Sequence, residues 1–423
     1  MKILIHEVGI LDPSSPHHGK TKDVLIVDGV IKKISDSNSI REKVDKTFDG
    51  KGKKLSIGWF DLHVNFGEPG FEFKEDLQSG CKAAMAGGFT GVLCMPSTFP
   101  SIQSKSEVEL ISTKTKNELV DVYAAGVLSV NREGKDLSEM YDMHQAGAVA
   151  FTDDKKSVQD SGMMLRALLY AKNFNGLIMS YANDENISLH GQMNEGVANT
   201  QLGLRGIPSL AEDILINRDI FLAEYAETKI HFSTVSTKKT VSLIREARKK
   251  GLKITCDVSA HQLLLDDSYL KGFDTRYKVQ PPLRSKEDIE ALKEALADGT
   301  IDVICSDHSP EDIENKKKEF DLAAFGITGL ETAFAVANTA LQKSVRLDQL
   351  LEKFTTHPRK VLSMEAPTIK EGEAANLTLF DPGLEWKFEE QHVKSKSKNT
   401  PFIGSTFTGK PIAVFNKDLC AEC

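Results

Sequence analysis

The chain has 423 residues, of which 40% are hydrophobic and 27% are charged, a composition typical of a globular protein with one large domain and an accessory one. A net charge of −8 and a pI near 5.8 provide no basic surface for nucleic acid or an anionic membrane, so we expect neither partner. No apolar run approaches the roughly 18 to 20 residues of a bilayer span, and no signal-peptide pattern is present. We therefore expect a cytoplasmic protein, and a homo-oligomer.

The two ends of the chain predict strands. Residues 1–55 contain short β-rich runs separated by turn signals, without a long helical period. Residues 371–423 have the same character, in the runs ANLTLFDP, PFIGSTF and KPIAVFNKD. Both segments therefore indicate a small β-domain.

Residues 56–370 alternate apolar runs with amphipathic helical stretches, a pattern typical of a parallel α/β fold. The predicted strands are FDLHVNF, GFTGVLCMPS, VDVYAAGVL, GAVAFTDD, GLIMSYAND, KIHFSTVST, LKITCDVSAH and IDVICSDHS. Helices are predicted between them, for example in KKTVSLIREARKKG and SKEDIEALKEALADG. Eight such units favour a (β/α)8 barrel, whose functional sites lie at the carboxyl ends of the strands. The polar residues that close each run are therefore the candidate site residues.

The first run continues into FDLHVNFGEPG, where an Asp-x-His at a strand end precedes a Gly-Glu-Pro-Gly turn. This stretch closely resembles the metal-binding opening of the amidohydrolase superfamily. AFTDD, SDHSP and the long GQMNEGVANTQLGLRGIPSLAEDILINRDI resemble its dihydroorotase branch, so the chain is identified as a member of the bacterial class I dihydroorotase type. The resemblance implies an amidohydrolase-type barrel with a small β-sandwich formed by the two chain ends. It also implies hydrolysis of a cyclic amide at a pair of metal ions.

The resemblance implies metal ligands at the strand ends, and only part of the set is present. His63 matches the first metal ligand of the family. Asp153 matches the carboxylate that bridges the two metal ions, and Asp154 is the adjacent alternative. Asp307 matches the residue that is both a metal ligand and the general base. Three positions that are histidine ligands in the family hold Asn65, Tyr181 and Thr234. Losing imidazole ligands lowers metal affinity steeply. The remnant of His63, Asp153 and Asp307 therefore predicts either no metal or a single divalent ion such as magnesium, rather than two zinc ions.

Several other polar residues are expected to support this site. The hydroxyls of Tyr181 and Thr234 can donate to the remaining aspartates, which repel each other without metal. Asp61 and His308 are expected to form hydrogen bonds rather than to bind metal. His231 lies at the start of its run, away from the mouth of the barrel, and is expected to be structural.

The substrate-binding positions implied by the family are also altered. Its arginine, two asparagines and final histidine are replaced here by Gly67, Ser97, Gln280 and Glu311, in that order. The arginine would bind the substrate carboxylate, a charge-assisted contact of roughly 1.5 to 3 kcal/mol. Both the metal positions and the substrate positions therefore depart from the family pattern.

Three functions remain open. The first is a catalytically inactive dihydroorotase homologue that serves as a non-catalytic partner of aspartate transcarbamoylase, as the resemblance implies for some bacterial proteins. The second is a working dihydroorotase, or a related cyclic amidohydrolase, with a reduced metal site and Asp307 as its base. The third is a protein that binds a small ligand without converting it. The number of altered positions favours the first and third hypotheses.

Overall fold

The structure is a computed structural model that describes residues 1–423. Its strands are β1 (Lys2–Ile10), β2 (Thr21–Val27), β3 (Val30–Asp36), β4 (Lys46–Asp49), β5 (Lys54–Ile57), β6 (Trp59–Val64), β7 (Phe89–Cys94), β8 (Asp121–Gly126), β9 (Ala150–Phe151), β10 (Ile178–Ser180), β11 (Met193–Asn194), β12 (Gly206–Ile207), β13 (Ile230–Phe232), β14 (Ile254–Ser259), β15 (Val303–Cys305), β16 (Asn376–Lys387), β17 (Thr406–Asn416) and β18 (Leu419–Glu422). Its α-helices are α1 (Leu77–Ala86), α2 (Lys105–Thr115), α3 (Met140–Gln145), α4 (Ser161–Lys172), α5 (Glu185–Ser188), α6 (Val197–Leu202), α7 (Leu210–Ala226), α8 (Lys238–Lys249), α9 (Lys286–Ala297), α10 (Ile313–Lys316), α11 (Ala333–Leu341), α12 (Leu347–Glu352) and α13 (Thr356–Val361).

The two chain ends form one sheet. Its strand order is β18-β17-β16-β5-β1-β2-β3, with β4 beside β1. The C-terminal strand β16 pairs antiparallel with β5, where Leu377 lies opposite Ile57. Apolar residues on this sheet pack into a core of their own, in which the rings of Phe48 and Phe415 meet edge to face at 5.0 Å. The sheet extends to Ile57, so the predicted boundary after residue 55 falls inside β5.

The middle of the chain forms a parallel barrel with strand order β6-β7-β8-β9-β10-β13-β14-β15. It closes between β6 and the residues after β15, where His308 N–H donates to His63 O at 3.2 Å and Asn65 N–H donates to His308 O at 2.8 Å. The predicted (β/α)8 barrel is confirmed. Its strands are shorter than the predicted runs, so the polar tails of those runs lie in loops at the mouth of the barrel.

The helices form where the sequence supplies caps and an apolar face. Ser285 caps α9 by accepting a hydrogen bond from Asp288 N–H, and Thr237 caps α8 in the same way from Thr240 N–H. The face of α8 that contacts the barrel buries Val241, Ile244 and Ala247, while its charged residues face outward. None of the helices combines the length and the apolar composition that a membrane span requires.

An aromatic cluster holds the terminal sheet against the barrel. Trp59, the first residue of β6, is fully buried, and its ring lies 4.4 Å from that of Phe334 and 5.4 Å from that of Phe380. Phe380 belongs to β16, so the cluster joins the two sheets directly. Because β6 carries His63 at its other end, this packing also fixes the strand that supplies the first site residue.

Candidate functional site

The barrel mouth gathers nearly all of the predicted site positions. Its strands place His63, Asp154, Tyr181, Thr234 and Asp307 around one centre. A cavity of about 230 Å³ opens over it, with a lining that includes Asn65, Gly67, Ser97 and Glu311. Gln280 lines an adjoining cavity of about 170 Å³ together with Lys155 and Asp307.

His63 and Asp154 form a buried pair at the centre of the mouth. The distance from His63 Nε2 to Asp154 Oδ1 is 2.8 Å, and Ser97 Oγ donates to the other Asp154 oxygen. Burial opposes charge on both groups, but their mutual attraction and hydrogen bond prevail, which raises the pKa of His63 and lowers the pKa of Asp154. The imidazole nitrogen nearest the centre is therefore engaged by a carboxylate.

Asp153, the predicted bridging carboxylate, does not face this centre, and the structure corrects that assignment to Asp154. One Asp153 oxygen accepts hydrogen bonds from Leu128 N–H at 2.9 Å and Ser129 N–H at 3.0 Å. The Ser129 hydroxyl donates to the other oxygen. Asp153 therefore fixes the loop after β8. The predicted set of His63, Asp153 and Asp307 is not assembled.

Three residues just beyond the barrel strands have left-handed backbone conformations. Asp154, Thr234 and Asp307 have φ values of 51°, 52° and 51°. Aspartate tolerates this region, but a β-branched threonine rarely adopts it. Such strain persists where the surrounding structure imposes it, most often at functional sites. The same backbone conformation thus occurs at Thr234, which carries no carboxylate or imidazole, and at the two aspartates.

Lys155 occupies the middle of the mouth, and the sequence-based prediction missed it. Its ammonium lies 2.9 Å from Asp307 Oδ1, 3.2 Å from Thr234 Oγ1 and 5.0 Å from the centroid of the Tyr181 ring. Burial disfavours the charge, but the carboxylates of Asp307 and Asp154 outweigh burial and raise the pKa of Lys155. The expectation that Tyr181 and Thr234 donate to the aspartates is wrong, because both side chains face this ammonium instead. The signal available in the sequence was a lysine directly after the strand-four aspartates.

His261, after β14, is a second residue that the prediction missed. It is buried, and neither of its ring nitrogens has a hydrogen-bond partner. Burial lowers the pKa of His261 to about 4. The charge of Asp307 raises this pKa and the charge of Lys155 lowers it, so the two contributions oppose each other. His261 is therefore a neutral imidazole beside the charged centre. Its sequence context, an apolar run, gave no indication of that position.

The residues that were expected to be supporting do support the site. Asp61 accepts hydrogen bonds from His63 N–H at 2.9 Å and Ser306 N–H at 2.8 Å, and burial raises its pKa to about 6. His308 Nδ1 accepts from Gly329 N–H at 3.2 Å, so this ring nitrogen faces the backbone rather than the centre. These contacts tie β6 to the segments after β15.

The altered substrate positions have local explanations. Gly67 has a φ of 67°, and a Cβ built there would lie 2.7 Å from the backbone oxygens of both Phe71 and Glu75. The turn therefore has no room for an arginine side chain. Glu311 forms an ion pair with Lys74 at 2.8 Å. Lys74 therefore engages one Glu311 oxygen, while the other oxygen has no hydrogen-bond partner.

A two-metal centre, which the family resemblance implies, does not fit these residues. The structure brings no group of three or more His, Cys, Asp or Glu side chains into an arrangement that could hold a metal ion. Asn65, Tyr181 and Thr234 stand where imidazole donors are required, and an amide or hydroxyl oxygen is a poor zinc ligand. Lys155 adds a positive charge beside the carboxylates that would have to bind the metal.

Comparisons with known proteins agree with this architecture. A family profile described as dihydro-orotase-like matches residues 52–240. The dihydroorotase of Syntrophus aciditrophicus (strain SB) is 40% identical over 414 residues, 97% of each chain. The dihydroorotase of Acetivibrio thermocellus is 41% identical over 410 residues, 96% of each chain.

Solved structures with the same fold include an L-hydantoinase (dihydropyrimidinase) from Arthrobacter aurescens, with a TM-score of 0.84 at 23% identity, covering 99% of this chain and 96% of that one. They also include a dihydropyrimidinase from Brevibacillus agri NCHU1002, with a TM-score of 0.82 at 21% identity, covering 99% of this chain and 95% of that one. This likeness confirms the predicted fold, a barrel beside a sheet built from both chain ends.

Proposed function

The chain belongs to the dihydroorotase family of the amidohydrolase superfamily, and on that premise we propose that it is a dihydroorotase-like protein of pyrimidine biosynthesis that does not hydrolyse the cyclic amide. Its role in this proposal is that of a non-catalytic partner of aspartate transcarbamoylase in the cytoplasm. The observation that carries the proposal is the loss of three imidazole positions at the mouth, Asn65, Tyr181 and Thr234.

The chemistry of the mouth supports the loss of turnover. Hydrolysis of a cyclic amide at neutral pH needs an activated water and a polarised carbonyl, which a metal pair supplies in this family. Here Asp307, the residue that would act as base, is in an ion pair with Lys155. The turn at Gly67 excludes the arginine that would bind the substrate carboxylate. Activation of the water and positioning of the substrate are therefore both impaired.

The outer surface supports a role in protein association. Helix α7 exposes an apolar stripe, defined as Leu210, Ile214, Phe221 and Tyr225, while its opposite face packs on the protein. These four positions lie within about 60° of one another around the helix, since each residue advances it by about 100°. Phe221 and Tyr225 are 59% and 74% exposed. The exposed Asn217 lies between Ile214 and Phe221 on the same face, so the stripe consists of two apolar pairs. Exposed apolar residues grouped on one face commonly mark a protein contact.

Turnover is tested with purified protein, dihydroorotate and, in the reverse direction, carbamoyl aspartate. Each substrate is offered with zinc, manganese, magnesium or a chelator, beside an active dihydroorotase as the positive control. We expect no turnover under any condition. Metal-dependent turnover that is lost in Asp307→Ala would establish the second hypothesis, a working enzyme with a reduced site, and would overturn this proposal.

Association is tested by co-expressing the chain with aspartate transcarbamoylase from the same organism and measuring the mass of the purified assembly by light scattering. We expect a stable complex that the double variant Phe221→Ser, Tyr225→Ser weakens at least tenfold. Leu322→Ser, which alters an exposed apolar residue far from α7 in sequence, is the matched control and should leave assembly unchanged. A chain that remains a monomer or pairs only with itself would contradict the partnership.

A small-ligand-binding protein is the second candidate, and unpaired polar atoms at the mouth favour it. His261 has two buried ring nitrogens without partners, and His63 Nδ1 and Glu311 Oε2 also lack them. Atoms of this kind mark places where a ligand or water completes the hydrogen bonding. A rise in thermal stability with dihydroorotate, carbamoyl aspartate or hydantoin, without turnover, would support this function.

A further inference from the structure

The Lys155 ammonium lies where the ends of four barrel strands converge. It extends from the loop after β9 to Asp307 after β15, Thr234 after β13 and Tyr181 after β10. Its side chain is 19% exposed, so most of it is enclosed by the mouth. Among the contacted residues, Asp307 is the retained carboxylate, and Tyr181 and Thr234 occupy positions that hold imidazole ligands in the family. The ammonium therefore lies among side chains that surround a metal centre in metal-dependent relatives.

The charges around it require a cation at this place. Asp154 and Asp307 are both buried, at 2.8 Å and 3.6 Å from His63 Nε2. Two buried carboxylates this close together are costly unless positive charge compensates them. The His63 ring, at 2.8 Å from Asp154 Oδ1, partners one carboxylate. The Lys155 ammonium supplies positive charge to the other, at 2.9 Å from Asp307.

We propose that the Lys155 ammonium replaces the catalytic metal of the family as a built-in cation, so that the mouth is held together without any metal ion. An ammonium is a compact point charge with three donors, and three groups surround it: Asp307 as an ion pair, Thr234 Oγ1 as a hydrogen-bond acceptor and the Tyr181 ring face. A divalent ion would compete with Lys155 for the Asp307 carboxylate and would lie beside a like charge. Lys155 and a metal ion at this position therefore exclude each other.

This inference deepens the proposed function and rests on it for the loss of metal chemistry, but its test measures metal content and stability rather than turnover. A metal-free protein that nevertheless hydrolysed dihydroorotate would overturn the proposed function and leave the inference intact. A metal-loaded protein without turnover would overturn the inference and leave the proposed function intact.

The test compares the parent protein with Lys155→Ala after dialysis against manganese, an ion that carboxylate oxygens suit, because removing the ammonium frees the carboxylate of Asp307. Bound manganese is measured by mass spectrometry of the metal, and thermal unfolding is recorded with manganese and with chelator. We expect the parent to bind no stoichiometric manganese and to unfold at the same temperature in both conditions. Lys155→Ala should unfold at a lower temperature in chelator, gain about one manganese per chain, and recover several degrees when manganese is added.

Three further variants assign the gained ion to this site. Adding Asp307→Asn to Lys155→Ala should abolish the bound manganese, which separates the site from adventitious binding elsewhere. Lys135→Ala, which removes an exposed lysine paired only with Glu133, should behave as the parent. Lys155→Arg keeps the positive charge and should stay folded and free of manganese.

Three results would overturn the inference. In the first, the parent binds stoichiometric manganese and Asp307→Asn removes it. In the second, Lys155→Ala is folded but gains no manganese. In the third, Lys155→Arg binds manganese. A Lys155→Ala chain that is recovered folded only with manganese supports the inference. If that variant is not recovered under any condition, the parent and Lys155→Arg decide the matter by the same criteria.

Discussion

Two buried histidine–aspartate pairs lie in this barrel, and they are built differently. His231 on β13 and Asp257 on β14 meet at 2.8 Å, the same distance as His63 and Asp154. The second nitrogen of His231 faces Thr255 Oγ1 at 2.8 Å, and the second Asp257 oxygen accepts from a backbone N–H. At the mouth, by contrast, His63 Nδ1 has no partner. We call these two sets the closed pair and the open pair.

The comparison distinguishes a structural hydrogen-bonded pair from a pair at the candidate site. A closed network that satisfies every polar atom fixes one packing arrangement, whereas unpaired buried atoms in native proteins need another explanation, such as a ligand or water. The prediction that His231 is structural agrees with its closed surroundings. The open pair lies under a cavity of about 230 Å³, in the region where the family binds metal and substrate.

The largest effect is expected from breaking the closed pair. Asp257→Ala leaves His231 Nε2 and the Thr234 N–H without their buried acceptor, and removal of one partner from a buried pair costs about 3 to 5 kcal/mol. Urea unfolding followed by circular dichroism measures the loss. Asp36→Ala, at an exposed ion pair with Lys22, should leave the urea midpoint unchanged. A shift in Asp257→Ala no larger than in this control would show that the closed pair is not structural.

The second prediction concerns pH and the neutral imidazole beside the open pair. The pKa of His261 is lowered to about 4 in the folded protein, so folding favours its neutral form. Its contribution to stability is fully present above the unfolded pKa of about 6.5 and is lost as pH falls toward 4, by about 3 kcal/mol in all. Asp61, whose pKa is about 6 in the folded protein, titrates in the same pH range. Its contribution to the free energy of unfolding changes with pH in the opposite direction.

The free energy of unfolding of the parent is therefore compared with that of His261→Gln. Because both proteins contain Asp61, its contribution cancels in the difference. The free energy of unfolding is determined from urea curves at pH 7.5 and pH 4.5. The parent should lose most of the 3 kcal/mol relative to His261→Gln between these two values. Parallel curves for the two proteins would mean that His261 is charged or solvated in the folded state.

The sequence predicted the barrel and the strands of the two chain ends because both depend on periodicity, which each segment shows independently of its neighbours. That the two ends meet in one sheet was predicted from the family resemblance alone. The sequence also located the mouth, because parallel strands bring their carboxyl ends to one side. It did not distinguish Asp153 from Asp154. Which of two adjacent residues faces the centre depends on the backbone after β9, and the left-handed conformation of Asp154 is set by tertiary structure.

The sequence could not predict that the Lys155 side chain points to the centre of the mouth, for a related reason. A lysine after a strand end is normally solvated, and its long side chain reaches several possible partners. Its orientation toward Asp307 depends on the space that Tyr181 and Thr234 leave at the centre, which is a property of three separate strands. His261 likewise became a candidate only when its lack of partners was visible.

The third prediction separates backbone strain from crowding at the rim of the mouth. Gly67 and Gly19 both have a positive φ, 67° and 76°, but a Cβ at Gly67 would clash with two backbone oxygens, whereas nothing lies within 4 Å of one at Gly19. Gly19→Ala should cost about 1 kcal/mol from conformation alone, and Gly67→Ala about 2 to 3 kcal/mol. Chemical unfolding of both variants measures the difference. Equal losses would show that the Gly67 turn moves readily and can admit a larger side chain.

The smallest effects come from removing one hydroxyl from each pair. Thr255→Val takes the partner from His231 Nδ1 in the closed pair, and we expect a loss of about 1 to 2 kcal/mol, since a buried ring nitrogen is left unsatisfied. Ser97→Ala takes a donor from Asp154 in the open pair, where water from the cavity can replace the hydroxyl, so the loss should stay below about 1 kcal/mol. Urea unfolding of both variants at pH 7.5 ranks them. A larger loss in Ser97→Ala would mean that the open pair is as firmly built into the scaffold as the closed one, and that the barrel mouth is a structural core rather than a former active site.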